Sequence, residues 1–138
     1  MRGTRGMRCA LAVLLILALS VSWGAALAAT RRSSDLISNY TISGRAGDDG
    51  KVYFTAKVTT YDDADRIGFS AIYIYDAAGN IVKSVYSKYA SNTWTHSYTT
   101  SYDGTPGQDY RAYVTFYVKD GSIVEDDKTR WSAYVTAQ

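Results

Sequence analysis

Asp109-Tyr110-Arg111-Ala112-Tyr113-Val114-Thr115-Phe116-Tyr117-Val118-Lys119 alternates in chemistry from end to end. Tyr110, Ala112, Val114, Phe116 and Val118 fall on one side, and Arg111, Tyr113, Thr115 and Tyr117 on the other. A period of two with one apolar side is the pattern of a strand half-buried on a core. Before it, Asp103-Gly104-Thr105-Pro106-Gly107 is a strong turn signal that holds the only proline of the chain. After it, Asp120-Gly121 turns the chain back into a final strand containing Trp131, Ala133 and Val135, interrupted by Glu125-Asp126-Asp127.

The same pattern repeats toward the N-terminus. Leu36 to Ser43 reads as a first strand, closed by the Gly/Asp cluster from Gly44 to Gly50. In Lys51 to Tyr61, Val52, Phe54, Ala56 and Val58 face one way and Tyr53, Thr55, Lys57 and Thr59 the other. Asp62-Asp63-Ala64-Asp65-Arg66 reads as a polar loop, and Ile67 to Asp76 as the third strand. Its phase changes midway: Ile67 and Phe69 point one way, Ile72 and Ile74 the other. A bulge near Ser70-Ala71 reconciles them. Ala77-Ala78-Gly79-Asn80 predicts a hairpin turn into Ile81 to Tyr89. Ala90-Ser91-Asn92 reads as a break before Thr93 to Tyr102. Seven short strands at this spacing, with no long amphipathic helix, predict an all-β antiparallel sandwich over residues 36–138.

The first 28 residues have the three parts of an export signal. Arg2, Arg5 and Arg8 precede an uncharged, mostly apolar run from Ala10 to Trp23, and Ala26-Leu27-Ala28 forms an A-x-A cleavage pattern. A helical signal peptide over 1–28 is expected, cut after Ala28 or after Ala29, followed by a flexible arm over 29–35. An uncleaved anchor is the competing reading, since Ala10 to Ala29 is just long enough to span a bilayer. Arg31-Arg32 lies after the apolar run, not before it as a twin-arginine signal requires. The expectation is a secreted, released domain with no stable membrane anchor.

Cleavage changes the chemistry of the chain. Of 15 Lys+Arg, three leave with the signal and none of the 13 acidic residues do, so the remainder carries a net charge of −1. A near-neutral surface argues against nucleic acid as a partner, which demands a basic footprint. The single cysteine, Cys9, also leaves. An exported domain without disulfides rests on its core alone. All 13 tyrosines lie in the remainder, a composition that favours strands.

Seven short strands with Thr105-Pro106-Gly107-Gln108-Asp109-Tyr110 opening the sixth resemble the immunoglobulin-like and fibronectin type III-like sandwiches. The resemblance implies that Tyr110 is a structural corner residue, its hydroxyl bonding back to the preceding loop. Phe54 stands roughly where the fibronectin pattern has a core tryptophan. Ala64 through Ile74, Gly104 through Gly107, and Tyr110-Arg111 with Phe116 and Lys119-Asp120-Gly121 are similar to small uncharacterised secreted β-sandwich proteins of Gram-positive bacteria. That likeness covers most of the chain after the signal. It implies a fold and a location, and no activity.

Candidate sites follow from the outward residues. Tyr113 and Tyr117 face away from the core if Phe116 faces into it, and Tyr73, Tyr75 and Tyr86 can share their sheet. Such a row can stack on sugars or anchor a protein partner, or can be ordinary cross-strand pairing. Asp48 and Asp49, and Asp62, Asp63 and Asp65, are oxygen-rich loops, but their spacing fits no EF-hand, and solvated turns are expected. Glu125-Asp126-Asp127 can blunt an edge strand. His96 is the only histidine, which disfavours zinc, and no motif surrounds any serine. No cofactor, metal or catalytic residue is expected. The predicted function is a non-catalytic binding or interaction module for an extracellular carbohydrate or protein. The alternatives are a small secreted hydrolase and a self-associating structural or bacteriocin-like protein.

Overall fold

The computed structural model describes residues 36–138. The expected signal peptide and arm lie outside the described residues. Seven strands follow in order: β1 (Ile37–Ala46), β2 (Lys51–Asp76), β3 (Ile81–Asp103), β4 (Asp109–Asp120), β5 (Ile123–Glu125), β6 (Thr129–Trp131) and β7 (Val135–Thr136). Every pairing is antiparallel.

The hydrogen-bonded sheet folds over on itself into two layers. The N-terminal half of β2 pairs with β1 on one side and with the C-terminal half of β3 on the other. The C-terminal half of β2 pairs with the N-terminal half of β3 and with β4, and β4 carries β5, β6 and β7 in succession along its far side. A three-stranded layer thus faces a four-stranded one, which is the seven-stranded immunoglobulin-like, fibronectin type III-like sandwich. The alternating residues of β2 and β4 close the space between the layers. Ala56, Val58, Phe69, Ile72, Val114 and Phe116 form one cluster; Val52, Phe54, Ile74, Tyr110 and Ala112 form a second. Phe54, Phe69 and Phe116 are among the largest fully buried side chains. Burial of each such side chain stabilises the fold by about 1.5–3 kcal/mol.

Two expected breaks are instead corners inside continuous strands. The polar segment from Asp62 to Arg66 belongs to β2, which runs for 26 residues, and Ala90–Asn92 belongs to β3, which runs for 23. The pairing slips between Thr59 and Ala64, where β2 passes from one layer to the other. Strands change sheets in this way at bulges and bends. The buried Thr60 hydroxyl lies 2.6 Å from the Asp62 carbonyl oxygen and 3.1 Å from that of Trp94, so the corner's polar groups are served from within. On β3 the corner uses Asn92 in the left-handed region, φ 54°, a conformation that asparagine tolerates better than most residues.

The phase change in β2 is resolved at Ser70, where the register against β4 shifts between Phe69 and Ala71. Ile67, Phe69, Ile72 and Ile74 consequently all reach the core. The turn at 77–80 is held by Asp76, whose carboxylate accepts the N–H groups of Ala78 and Asn80 at 3.0 and 2.9 Å.

The final strand departs from expectation. It is divided into β5, β6 and β7, so Trp131 and Val135 do not share a side: Val135 is buried and Trp131 is exposed. Glu125 does not blunt an edge. It is buried, and one of its carboxylate oxygens accepts the backbone N–H groups of Leu36 and Ile37 at 3.2 and 3.1 Å, tying the start of β1 to the opposite layer.

Candidate binding face

The four-stranded layer turns its outer surface away from the core, and the register decides what stands there. Tyr73 lies opposite Ser84 on β3 and Tyr113 on β4, and Tyr113 lies opposite Trp131 on β6. One step along, Tyr75 is opposite Arg111. In the other direction Ala71 separates Tyr86 from Thr115, and Gly68 separates Tyr89 from Tyr117. All five tyrosines of the expected row, Tyr73, Tyr75, Tyr86, Tyr113 and Tyr117, therefore stand on this one face.

The rings meet in tilted or edge-on pairs. Centroids are 4.7 Å apart for Tyr113 and Trp131, 5.0 Å for Tyr75 and Trp131, and 5.8 Å for Tyr73 and Tyr86. Tyr89 and Tyr117 meet at 5.0 Å across the position of Gly68. A Cβ at Gly68 would come within 2.0 Å of the Lys88 carbonyl oxygen, so the neighbouring strand's backbone occupies the space a side chain needs. The hydroxyl of Tyr86 pushes the Tyr73 phenol above its usual range.

Cations complete the face. The Arg111 guanidinium carbon sits 4.0 Å from the Trp131 ring centroid and 4.8 Å from that of Tyr134. Arg66 lies 5.5 Å from the ring of Tyr89 and directly opposite Lys119. Tyr113, Tyr117, Tyr73 and Tyr75 are half-buried, whereas Tyr86, Trp131 and Tyr134 keep 58%, 41% and 51% of their surface exposed. Sequence reasoning missed Trp131, Tyr134, Tyr89, Arg111 and Arg66. In one unbroken strand Trp131 and Val135 would share a side, and only the division of the last strand turns Trp131 outward. The alternation of Arg111 with Tyr113 was the one signal that could have brought the arginine in.

The remaining sequence candidates lie elsewhere. The Tyr110 hydroxyl accepts the N–H of Thr105 at 2.9 Å, five residues upstream. Its ring and the methyl of Ala137 fill the space beside Gly104, where a Cβ would meet them at 3.0 and 2.7 Å. His96 is half-buried and stacks on Phe69 with centroids 5.8 Å apart. Asp49 accepts from the Tyr53 hydroxyl and the Lys51 N–H, which hold its carboxyl below the usual range and raise the Tyr53 phenol. Asp65 accepts the N–H of Gly121 at 2.8 Å. Asp48, Asp62 and Asp63 are exposed. Among the described residues no three His, Cys, Asp or Glu side chains are grouped to hold a metal ion.

No protein-family model matches the chain, and no curated protein matches it. Solved structures similar at low identity include the following three. An FMN-binding beta-glucuronidase from Facaelibacterium prausnitzii is 16% identical over 70% of this chain and 14% of its own, with a TM-score of 0.41. The CARDB domain of a Pyrococcus furiosus protein, solved in complex with di-metal ions, is 13% identical over 75% of this chain and 90% of its own, with a TM-score of 0.42. A protein from Archaeoglobus fulgidus is 12% identical over 74% and 98%, with a TM-score of 0.36. The chain spans only a small part of the glucuronidase, and likeness at this level carries no functional information.

Proposed function

We propose that the protein is a secreted, non-catalytic binding module that takes a protein partner on the outer face of its four-stranded layer. The carrying observation is the contiguous set of Tyr73, Tyr75, Tyr86, Tyr113, Tyr117, Trp131 and Tyr134 with Arg111 among them. Tryptophan, tyrosine and arginine are the residues that dominate binding energy at protein interfaces, because they bring large, semi-rigid contact area with a polar handle. The arrangement of the rings favours a protein over a sugar. A pyranose stacks on an open, flat ring face. Here neighbouring rings are tilted by 49–81° and spend much of their faces on each other. The notched surface that results suits side chains. Export is supported by the signal pattern of residues 1–28.

The test is a parallel selection of the purified protein against a displayed random-peptide library and an array of soluble glycans. Peptide ligands are expected, with amide shifts on binding confined to β4, β6 and the segment after it, the C-terminal half of β2 and the N-terminal half of β3. Trp131→Ala and Tyr113→Ala are expected to abolish binding while the far-ultraviolet spectrum stays that of the parent. Glycan ligands without peptide ligands, or peptide binding indifferent to both substitutions, would overturn the proposal.

A further inference from the structure

We infer that the partner is an extended acidic polypeptide segment and that Arg111 is the residue that selects it. The inference rests on the proposed binding face and concerns what that face prefers. The Arg111 guanidinium carbon lies 4.0 Å from the ring centroid of Trp131 and 4.8 Å from that of Tyr134, yet among the described residues none of its guanidinium N–H groups meets an acceptor. The sole ion pair among them joins Lys51 to Asp103 at 4.0 Å, away from this face. Opposite Arg111 on β2 stands Tyr75, not a carboxylate. A guanidinium carries five N–H donors in a planar fork that matches a carboxylate two bonds at a time. Contact with the two rings leaves the N–H donors of that fork unspent, which is the waiting half of such a pair.

The far end of the face repeats the charge. Arg66 and Lys119 are directly opposite each other across β2 and β4. Like charges in that position cost stability in an isolated sheet, and a carboxylate laid between them removes the cost. Two nearby carboxylates of the same chain already accept hydrogen bonds, Asp109 from the Thr136 hydroxyl and Asp65 from the Gly121 N–H. This clustering does not reflect a basic protein, since the chain after residue 28 carries a net charge of −1. Arg111 and Lys119 are eight residues apart on one strand, about 26 Å at ~3.3 Å per residue, with Tyr113, Thr115 and Tyr117 between them. An extended peptide with carboxylates about eight residues apart spans the same distance and lays its intervening side chains among the rings.

The experiment uses synthetic peptides with two glutamates about eight residues apart flanking a tyrosine- and valine-rich centre, their glutamine counterparts, and polygalacturonate as a carboxylated glycan. Binding is followed by tryptophan fluorescence. The glutamate peptide is expected to bind about tenfold or more tighter than the glutamine peptide at low salt, with the advantage shrinking as salt is raised. Arg111→Met, which keeps an unbranched apolar stem against Trp131, is expected to erase that preference, so that the glutamate and glutamine peptides bind alike. Arg111→Lys is expected to restore the preference only in part, since a point charge lacks the fork. Arg66→Gln with Lys119→Gln reads the other end without touching the Trp131 cluster. Equal binding of the two peptides, or a preference that survives in Arg111→Met, overturns the inference and leaves the binding face standing. So does tighter binding of polygalacturonate. Failure of every peptide to bind at the aromatic face overturns the proposed function itself.

Discussion

Glu125 gives the sharpest test of the fold. The residue is 8% exposed, and its carboxylate accepts two backbone N–H groups, from Leu36 at 3.2 Å and Ile37 at 3.1 Å. Glu125→Ala leaves both donors without their partner. Stranding a buried donor costs about 1–3 kcal/mol. Leu36 and Ile37 are only half-buried, so water recovers part of each loss and the low end applies, giving about 2–4 kcal/mol for the pair. Glu125→Gln keeps one carbonyl oxygen in the same place. It loses only the charge assistance, which roughly doubles a hydrogen bond's strength, so about 1 kcal/mol is expected. Urea unfolding at neutral pH measures both, and the slope should match the parent if only stability has changed. Asp126→Ala and Asp127→Ala, at exposed neighbouring positions, should fall within about 0.5 kcal/mol of the parent. If all three alanine variants are equally mild, the acidic run is a solvated edge guard after all, and the inward tie to β1 is wrong.

Three further outcomes follow from the same geometry. Tyr110→Phe removes the acceptor for the Thr105 N–H and keeps the ring against Gly104; a loss of about 1–2 kcal/mol in chemical denaturation is expected. Gly68→Ala drives a methyl to 2.0 Å from the Lys88 carbonyl oxygen. A loss above about 3 kcal/mol, or failure to accumulate as folded protein, is therefore expected, and a variant with parental thermal stability would refute the close approach. Asp76 accepts from the Asn80 and Ala78 backbone, which holds its carboxyl below the usual value of 3.8. A carboxyl lowered by folding stabilises the fold above its unfolded pKa, and that contribution fades as pH falls through the lower folded value. The stability gap between the parent and Asp76→Asn should thus be constant from neutral pH down to about 4 and narrow below it; a gap that widens on acidification contradicts the sign.

Much of the core was legible because a strand's side chains alternate by covalent geometry alone. Val52, Phe54, Ala56 and Val58 on β2 and the five inward residues of β4 are all buried, as their spacing demands. The bulge at Ser70 could be read for the same reason, since a change of phase inside one apolar run requires an extra residue. The corners could not. Asp62, Asp63, Ser91 and Asn92 are polar because they are exposed at a bend, and local sequence does not distinguish a bend within a strand from a loop between two. Whether the chain keeps its ladder through the bend depends on the partner strand, and β2 and β3 bend together.

The amino-acid sequence by itself determined that this chain builds alternating strands, which residues of each face the core, and that Tyr73, Tyr75, Tyr113 and Tyr117 point away from it. Tertiary structure alone decided which of those outward residues are neighbours. Tyr75, Tyr113, Trp131, Tyr134 and Arg111 come together from three separate strands and the segment after β6 because register and the broken last strand put them there. The same holds for Glu125, whose charge reads as exposed until the start of β1, nearly ninety positions away, supplies two N–H groups to meet it. Pairing across such distances is fixed by the packing of the whole sandwich, and no local stretch of sequence contains it.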